Sequence, residues 1–325
     1  MVKKYPYLVL LLFFQMANVF SQNNEGIKWL DENFSLTSKE KAKYKREIII
    51  ISKHQGQPIY KVKEYYLSGQ LMATVTYKGP GFLIKIGNSK TYYENGQQKA
   101  ELNYVEGAIS GAYKYWYENG QLKEEGVYIN QNLKEPNIFD KQVNSYFSQN
   151  GDTMVFQGNG FLKEIAEEKL LSSGPIKAGL KDGKWFGYDS IVDVSFTELY
   201  ENGVLVNGTS MDMIGNEFAY QKVMISSEPV IGETLYRQCI GDYLSQKYPK
   251  SAKRKGIEGI VYVQVKVSSA GMIYQTKVIV GLEPKCNAVA LESVLNCKTE
   301  HKPAIQRGVN AKSTYIVPIR FVLDK

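Results

Sequence analysis

Histidine is nearly missing from this chain: of 325 residues only His54 and His301 carry an imidazole. There is also no Gly-x-Ser-x-Gly elbow, no Gly-rich phosphate cradle and no pair of Cys or His at metal-ligand spacing. The signatures of triad hydrolases, P-loop enzymes and zinc sites are therefore lacking. Nothing in the sequence places two carboxylates together for acid–base work. The chain reads as a non-enzyme that needs no cofactor and no metal. His301 has no base or metal partner in view and reads as a structural or surface side chain.

Cysteine is scarce and odd in number: Cys239, Cys286 and Cys297. Cys286 and Cys297 flank what reads as one helix, and a separation of about 16 Å along its axis is too long for a disulfide. Any bond therefore involves Cys239, with either Cys286 or Cys297, and buried free thiols are the alternative.

Long apolar runs are confined to the first segment, MVKKYPYLVLLLFFQMANVFSQ. Lys3 and Lys4, the run from Tyr7 to Phe14, and Val19 and Ser21 before Gln22 form a secretory signal pattern over 1–21. Extended through Phe20, the same segment nearly spans a bilayer, so an uncleaved inner-membrane anchor facing the periplasm is the other reading. The expected location is the periplasm or cell envelope. The net charge of +7 comes from Lys and Arg interleaved with Asp and Glu, which excludes a concentrated nucleic-acid patch. The densest basic run, Lys247, Lys250, Lys253, Arg254 and Lys255, reads as a solvated helix face.

The sequence is rich in Tyr and Gly, with 24 and 28 residues, which favours strands joined by tight turns. After a polar lead-in (22–58) whose run Ile48 to Ile51 reads as a strand, one phrase recurs over 59–215. "YYLSGQL", "YYENGQQK", "WYENGQLK", "YFSQNGD" and "LYENGVL" place turn glycines at Gly69, Gly96, Gly120, Gly151 and Gly203. Asn-Gly between alternating apolar runs is the strongest short hairpin signal, and it predicts type I′ turns. A lone hairpin is marginal, so the phrases must stack into an antiparallel β-hairpin array. The stretch from Ile129 to Asn144 and the run FLKEIAEEKLLSS interrupt the period, and the latter, with Leu162, Ile165 and Leu170 among charges, predicts a short helix inserted in the array.

From about Ser227 the pattern changes. Leu235, Cys239 and Tyr243 predict one face of a helix ending at Pro249; Val261, Val263, Val265 and Val267 alternate as a strand; MIYQTKVIVG follows a Ser268–Gly271 turn. Asn287 is placed to cap a helix whose face holds Ala288, Leu291 and Leu295. Last comes TYIVPIRFVL, alternating Tyr315, Val317, Ile319 and Phe321 against Ile316, Pro318 and Arg320. Pro318 cannot donate a ladder bond, which places it on an edge strand or at a bulge, and a long alternating edge is either covered or used for strand addition by a partner.

Two resemblances follow from these residues. "YENGQLKEEGVY" and "GLKDGKWFGY" resemble the MORN-variant repeats of YwqK-like antitoxin proteins, which implies an antiparallel β-stack. Tyr248-Pro249, Gly256-Ile257-Glu258-Gly259, Gly271, Ala290-Leu291, Lys302-Pro303-Ala304, Gly308 and Tyr315 to Phe321 resemble the C-terminal domain of the TonB energy-transducer family over 227–325. The fold class is thus mostly β with an α+β C-terminal domain, a MORN-like stack followed by a TonB-like βαββαβ domain. The resemblance implies a partner, an outer-membrane transporter or other envelope protein, captured by strand addition along Tyr315, Ile316, Val317, Pro318, Ile319, Arg320 and Phe321. A motor complex in the inner membrane becomes a partner only if 1–21 is retained. Nucleic acid is not among the expected partners. Where the family commonly has Trp before Lys-Pro-Ala, this chain has His301, and the family's Pro-rich spacer is missing.

Overall fold

The computed structural model describes residues 26–54, 57–82, 84–129, 140–166, 169–297 and 299–323; the expected signal segment 1–21 and most of the stretch between Ile129 and Asn144 lie outside them. The chain divides into two compact units, Asn23–Tyr188 with Ser195–Asn207, and Asp189–Val194 with Gly208–Lys325.

The first unit is an antiparallel meander. Gly26–Leu30 pairs with Tyr44–His54, so the lead-in is woven into the sheet. Gln57–Tyr66, Leu71–Lys78, Ile84–Tyr92, Gln98–Val105, Gly111–Trp116 and Leu122–Ile129 follow, each antiparallel to a strand before it. Asp140–Phe147 pairs back onto Leu122–Ile129, which keeps the succession unbroken across that stretch. FLKEIAEEKLLSS is not a helix: it supplies Asn159–Ala166 and Lys169–Lys177, an antiparallel pair in which Leu162 is buried and Ile165 exposed. Pairing decides the case, because cross-strand neighbours override a weak helical period. Glu164 there accepts from Ser172 at 2.8 Å and lies 3.8 Å from Lys141. Burial pulls the Lys141 ammonium down, but Glu124 at 2.5 Å and Glu164 outweigh it and hold the group charged.

The turns depart from the sequence expectation in an ordered way. At Gly69, Gly96, Gly120 and Gly151 only the glycine has positive φ, and its N–H donates to the carbonyl three residues back, as in Gly96 to Tyr93 at 3.0 Å. These are type I turns closed by a left-handed glycine rather than type I′ turns. Asn95 and Asn119 earn their place differently: their side-chain oxygens accept from the N–H of Gln97 and Gln121 at 2.9 and 3.0 Å. Paired positive φ occurs at Asn202–Gly203, as expected, and also at Glu106–Gly107, Gln157–Gly158 and Ala178–Gly179.

Successive glycine turns are joined by tyrosines. Tyr66 donates to the carbonyl of Tyr92 at 3.0 Å, Tyr93 to Trp116 at 2.9 Å and Tyr117 to Phe147 at 2.9 Å. Lys99 and Lys123 lie over the rings of Tyr93 and Tyr117 at 5.2 and 5.5 Å, and burial raises the phenol pKa of all three ladder tyrosines. The core beneath is a string of clusters, one around Val62, Ala73 and Tyr77, one around Leu102, Ile109 and Tyr113, one around Val143, Val155 and Trp185.

The second unit holds helices Glu233–Lys247, Lys250–Arg254 and Pro284–Asn296 and a sheet of three strands in which Gly259–Val267 lies between Ile273–Val280 and Ser313–Phe321. With the short pair Glu228–Pro229 and His301–Lys302 it follows the βαββαβ order. The helix faces are offset from those read in the sequence. Tyr236, Ile240 and Leu244 are buried, one residue on from the expected Leu235, Cys239 and Tyr243, and Leu235 is exposed. In the other helix Cys286, Ala290, Ser293 and Val294 are buried, while Ala288 and Leu295 face out. That helix begins at Pro284, and Asn287 sits inside it, its Oδ1 accepting from the N–H of Leu282 at 2.9 Å. The core is Val261, Val263, Val265, Val267, Val317, Ile319 and Phe321 against the helices. Cys239 and Cys297 are joined, with Cα atoms 5.9 Å apart, and Cys286 is a buried free thiol. Burial, with Glu283 beside it, pushes that thiol up to about 11.

Candidate functional site

The strand Ser313–Phe321 pairs with Gly259–Val267 through nine consecutive residue pairs without a register slip, from Ser313 opposite Val267 to Phe321 opposite Gly259. On its other side it pairs with no strand among the described residues. An edge of that kind presents main-chain donors and acceptors to any extended segment that reaches it.

Alternation assigns the seven candidate residues to different tasks. Val317, Ile319 and Phe321 are buried under the helices, so their side chains hold the strand rather than meet a partner. Pro318 and Arg320 are exposed on the opposite face, across from Tyr262 and Ile260, and Ile316 is half-buried beside Gln264. Leu323, beyond the strand, donates its N–H to Glu258 Oε1 at 2.7 Å, which secures the strand's C-terminal end.

Tyr315 anchors the other end. Its hydroxyl lies 2.6 Å from Nε2 of His301, whose Nδ1 lies 3.3 Å from the carbonyl of Thr299. A carbonyl only accepts, so Nδ1 carries the hydrogen and Nε2 accepts from Tyr315. Tyr236 packs edge-on against the imidazole, centroids 5.7 Å apart. Burial lowers the His301 pKa, partly countered by the Thr299 carbonyl and Glu233, and drives the Tyr315 phenol up and that of Tyr236 to about 12. His301 is thus a neutral packing residue between a helix and the edge strand. Gly271 fits against it: a Cβ there would lie 2.0 Å from the His301 carbonyl oxygen, and the N–H of His301 donates to the Gly271 carbonyl at 3.1 Å.

Three further contacts were invisible in the sequence. Ser210 donates to the carbonyl of Arg307 at 2.6 Å, and Asp189 accepts from Gln306 at 2.8 Å and pairs with the Arg307 guanidinium. They hold the hairpin Ala304–Gln306 and Val309–Ala311, which leads into the edge strand. The five basic residues Lys247, Lys250, Lys253, Arg254 and Lys255 are exposed, as expected, with Lys253 over the Tyr248 ring at 5.3 Å.

Residues 245–323, from the end of the first helix to the end of the edge strand, match the family model described as Gram-negative bacterial TonB protein C-terminal. Over these residues the chain is similar to TonB C-terminal domains. Residues 61–78, 85–106 and 110–130 match the MORN repeat variant. The MORN-variant matches end at 130, whereas the strand succession continues beyond Asp140. No curated protein matches the chain. The TonB C-terminal match supports a TonB-like envelope protein working through protein–protein contact. Among the described residues no helix is long and apolar enough to cross a membrane.

Proposed function

We propose that this is an exported, non-enzymatic envelope protein whose TonB-like domain binds outer-membrane transporters, or another envelope protein, by strand addition along Ser313–Phe321. The observation that carries this reading is an outer strand side that meets no strand among the described residues, on a strand whose inner side is fully registered and whose two ends are fixed by Tyr315 and Leu323. A preformed edge lowers the ordering cost of binding.

The test replaces a residue whose main chain faces outward. Ile316→Pro removes an outward N–H while leaving the inner ladder and the buried side chains in place. Synthetic peptides from the periplasmic N-termini of outer-membrane transporters should bind the native chain and bind Ile316→Pro about fivefold more weakly. Equal binding to both would sink the reading. Val317→Pro or Ile319→Pro is a poorer choice, because both residues are core.

The tyrosine ladder favours a second role for the repeats, a stiff spacer, in a form of the protein that keeps 1–21 as an anchor and contacts an inner-membrane motor. The mass of the mature chain separates the two: loss of 1–21 rules out direct coupling to such a motor.

A further inference from the structure

Along a strand the main-chain groups of successive residues point to opposite sides, so the parity of Ser313–Phe321 can be read from any one fixed residue. The neighbouring ladder fixes it: the N–H of Ser268 donates to the carbonyl of Met272 at 2.8 Å, so even-numbered residues of Gly259–Val267 turn toward Ile273–Val280, odd-numbered ones turn toward Ser313–Phe321, and the register there pairs odd with odd. Odd-numbered residues from Tyr315 onward therefore face the central strand, and Thr314, Ile316, Pro318 and Arg320 face outward. The unslipped pairing through Pro318 opposite Tyr262 agrees, since an inward-facing proline would break the ladder and crowd its partner. The outer edge is thus a row of donors with one gap in it, at Pro318.

We propose that this gap makes Pro318 a specificity residue: it disfavours pairing of the edge with a second copy of this chain while still admitting one foreign strand. The proposal rests on the strand-addition reading above. In antiparallel pairing, facing outward residues exchange two bonds. A foreign strand with all its own donors loses one bond, opposite Pro318. A second copy brings its own proline, so self-pairing loses two, wherever the two-fold axis falls. A net main-chain hydrogen bond shifts an equilibrium by about fivefold, so the gap weakens a foreign strand about fivefold and self-pairing about twenty-fivefold. The side chain of Pro318 is exposed, so its replacement leaves the buried residues of the strand, Val317, Ile319 and Phe321, in place.

Sedimentation equilibrium of the full chain provides the test, with circular dichroism to confirm folding. Pro318→Ala should raise the self-association constant about twenty-fivefold, and adding Ile316→Pro, which restores a gap, should return it to the native level. A synthetic peptide of residues 313–323 carrying P318A should bind the P318A chain about fivefold more tightly than the native chain. Unchanged self-association in P318A, or a rise that Ile316→Pro does not reverse, overturns the proposal. A peptide that binds both chains equally overturns the role of Pro318 alone, whereas one that binds neither overturns strand addition itself.

Discussion

The hydroxyl of Tyr93 donates to the main-chain carbonyl of Trp116, 2.9 Å away and 23 residues later, and the same bond recurs from Tyr66 and from Tyr117. Each is a neutral bond on a partly buried group, and Tyr93→Phe should cost about 0.5–1.5 kcal/mol in urea unfolding. Tyr66→Phe and Tyr117→Phe act at separate turns, so the triple variant should show the near-additive sum.

Gly120 has φ +85, and a Cβ placed on it would come within 2.9 Å of the Gln97 side-chain oxygen. Gly120→Ala should therefore destabilise by about 1–2 kcal/mol from the left-handed backbone alone, plus whatever Gln97 resists. Gln97→Ala in the same chain should recover the second part and leave the first. Thermal denaturation of the two single variants and the double variant measures the split.

His301 ties stability to acidity. Its folded pKa is lowered below the ordinary 6.5 by burial, so the unfolded chain takes up the proton first. Stability contributed by the neutral ring is fully present above that value and is lost as pH falls through about 6.5 and below. The melting temperature should drop between pH 7.5 and 5, and His301→Phe, which keeps the ring packing between Tyr236 and Tyr315, should flatten that part of the profile. An identical slope in the variant would assign the effect to other groups.

The Cys239–Cys297 bond closes a loop over 58 residues. Cys297→Ser with Cys239→Ser should cost about 2–4 kcal/mol in guanidinium unfolding. Cys286, buried with a thiol pushed up to about 11, should stay unreactive toward a thiol reagent at neutral pH until the domain unfolds.

Much of this was legible in the residues. The glycine of each phrase marks a real hairpin, Val261 to Val267 alternate as read, and Pro318 marks an open edge. What escaped depends on distant partners. Nothing local distinguishes Leu235 from Tyr236 as the inward residue; the sheet selects Tyr236, whose ring meets His301. Glu106–Gly107 and Ala178–Gly179 form paired positive-φ turns although Glu and Ala are poor turn residues, because the flanking strands impose their twist. FLKEIAEEKLLSS has a helical period, yet Glu164 is claimed by Ser172 and Lys141 across strands. His301 meets Tyr315 fourteen residues on, a spacing that belongs to no local period.

The turns at Gly96 and Gly120 carry both halves of a joint: a tyrosine that reaches forward to the next repeat, and a glycine that receives the glutamine of the one before, Gly96 receiving Gln70 and Gly120 receiving Gln97. A duplicated segment from one such turn to the next would arrive with its own fastening at either end and meet matching surfaces on both neighbours. Whole repeats can therefore be gained or lost in a lineage without redrawing the rest, while a partial one cannot, and lengths of this protein across relatives should differ in steps near the 27 and 24 residues that separate Gly69, Gly96 and Gly120.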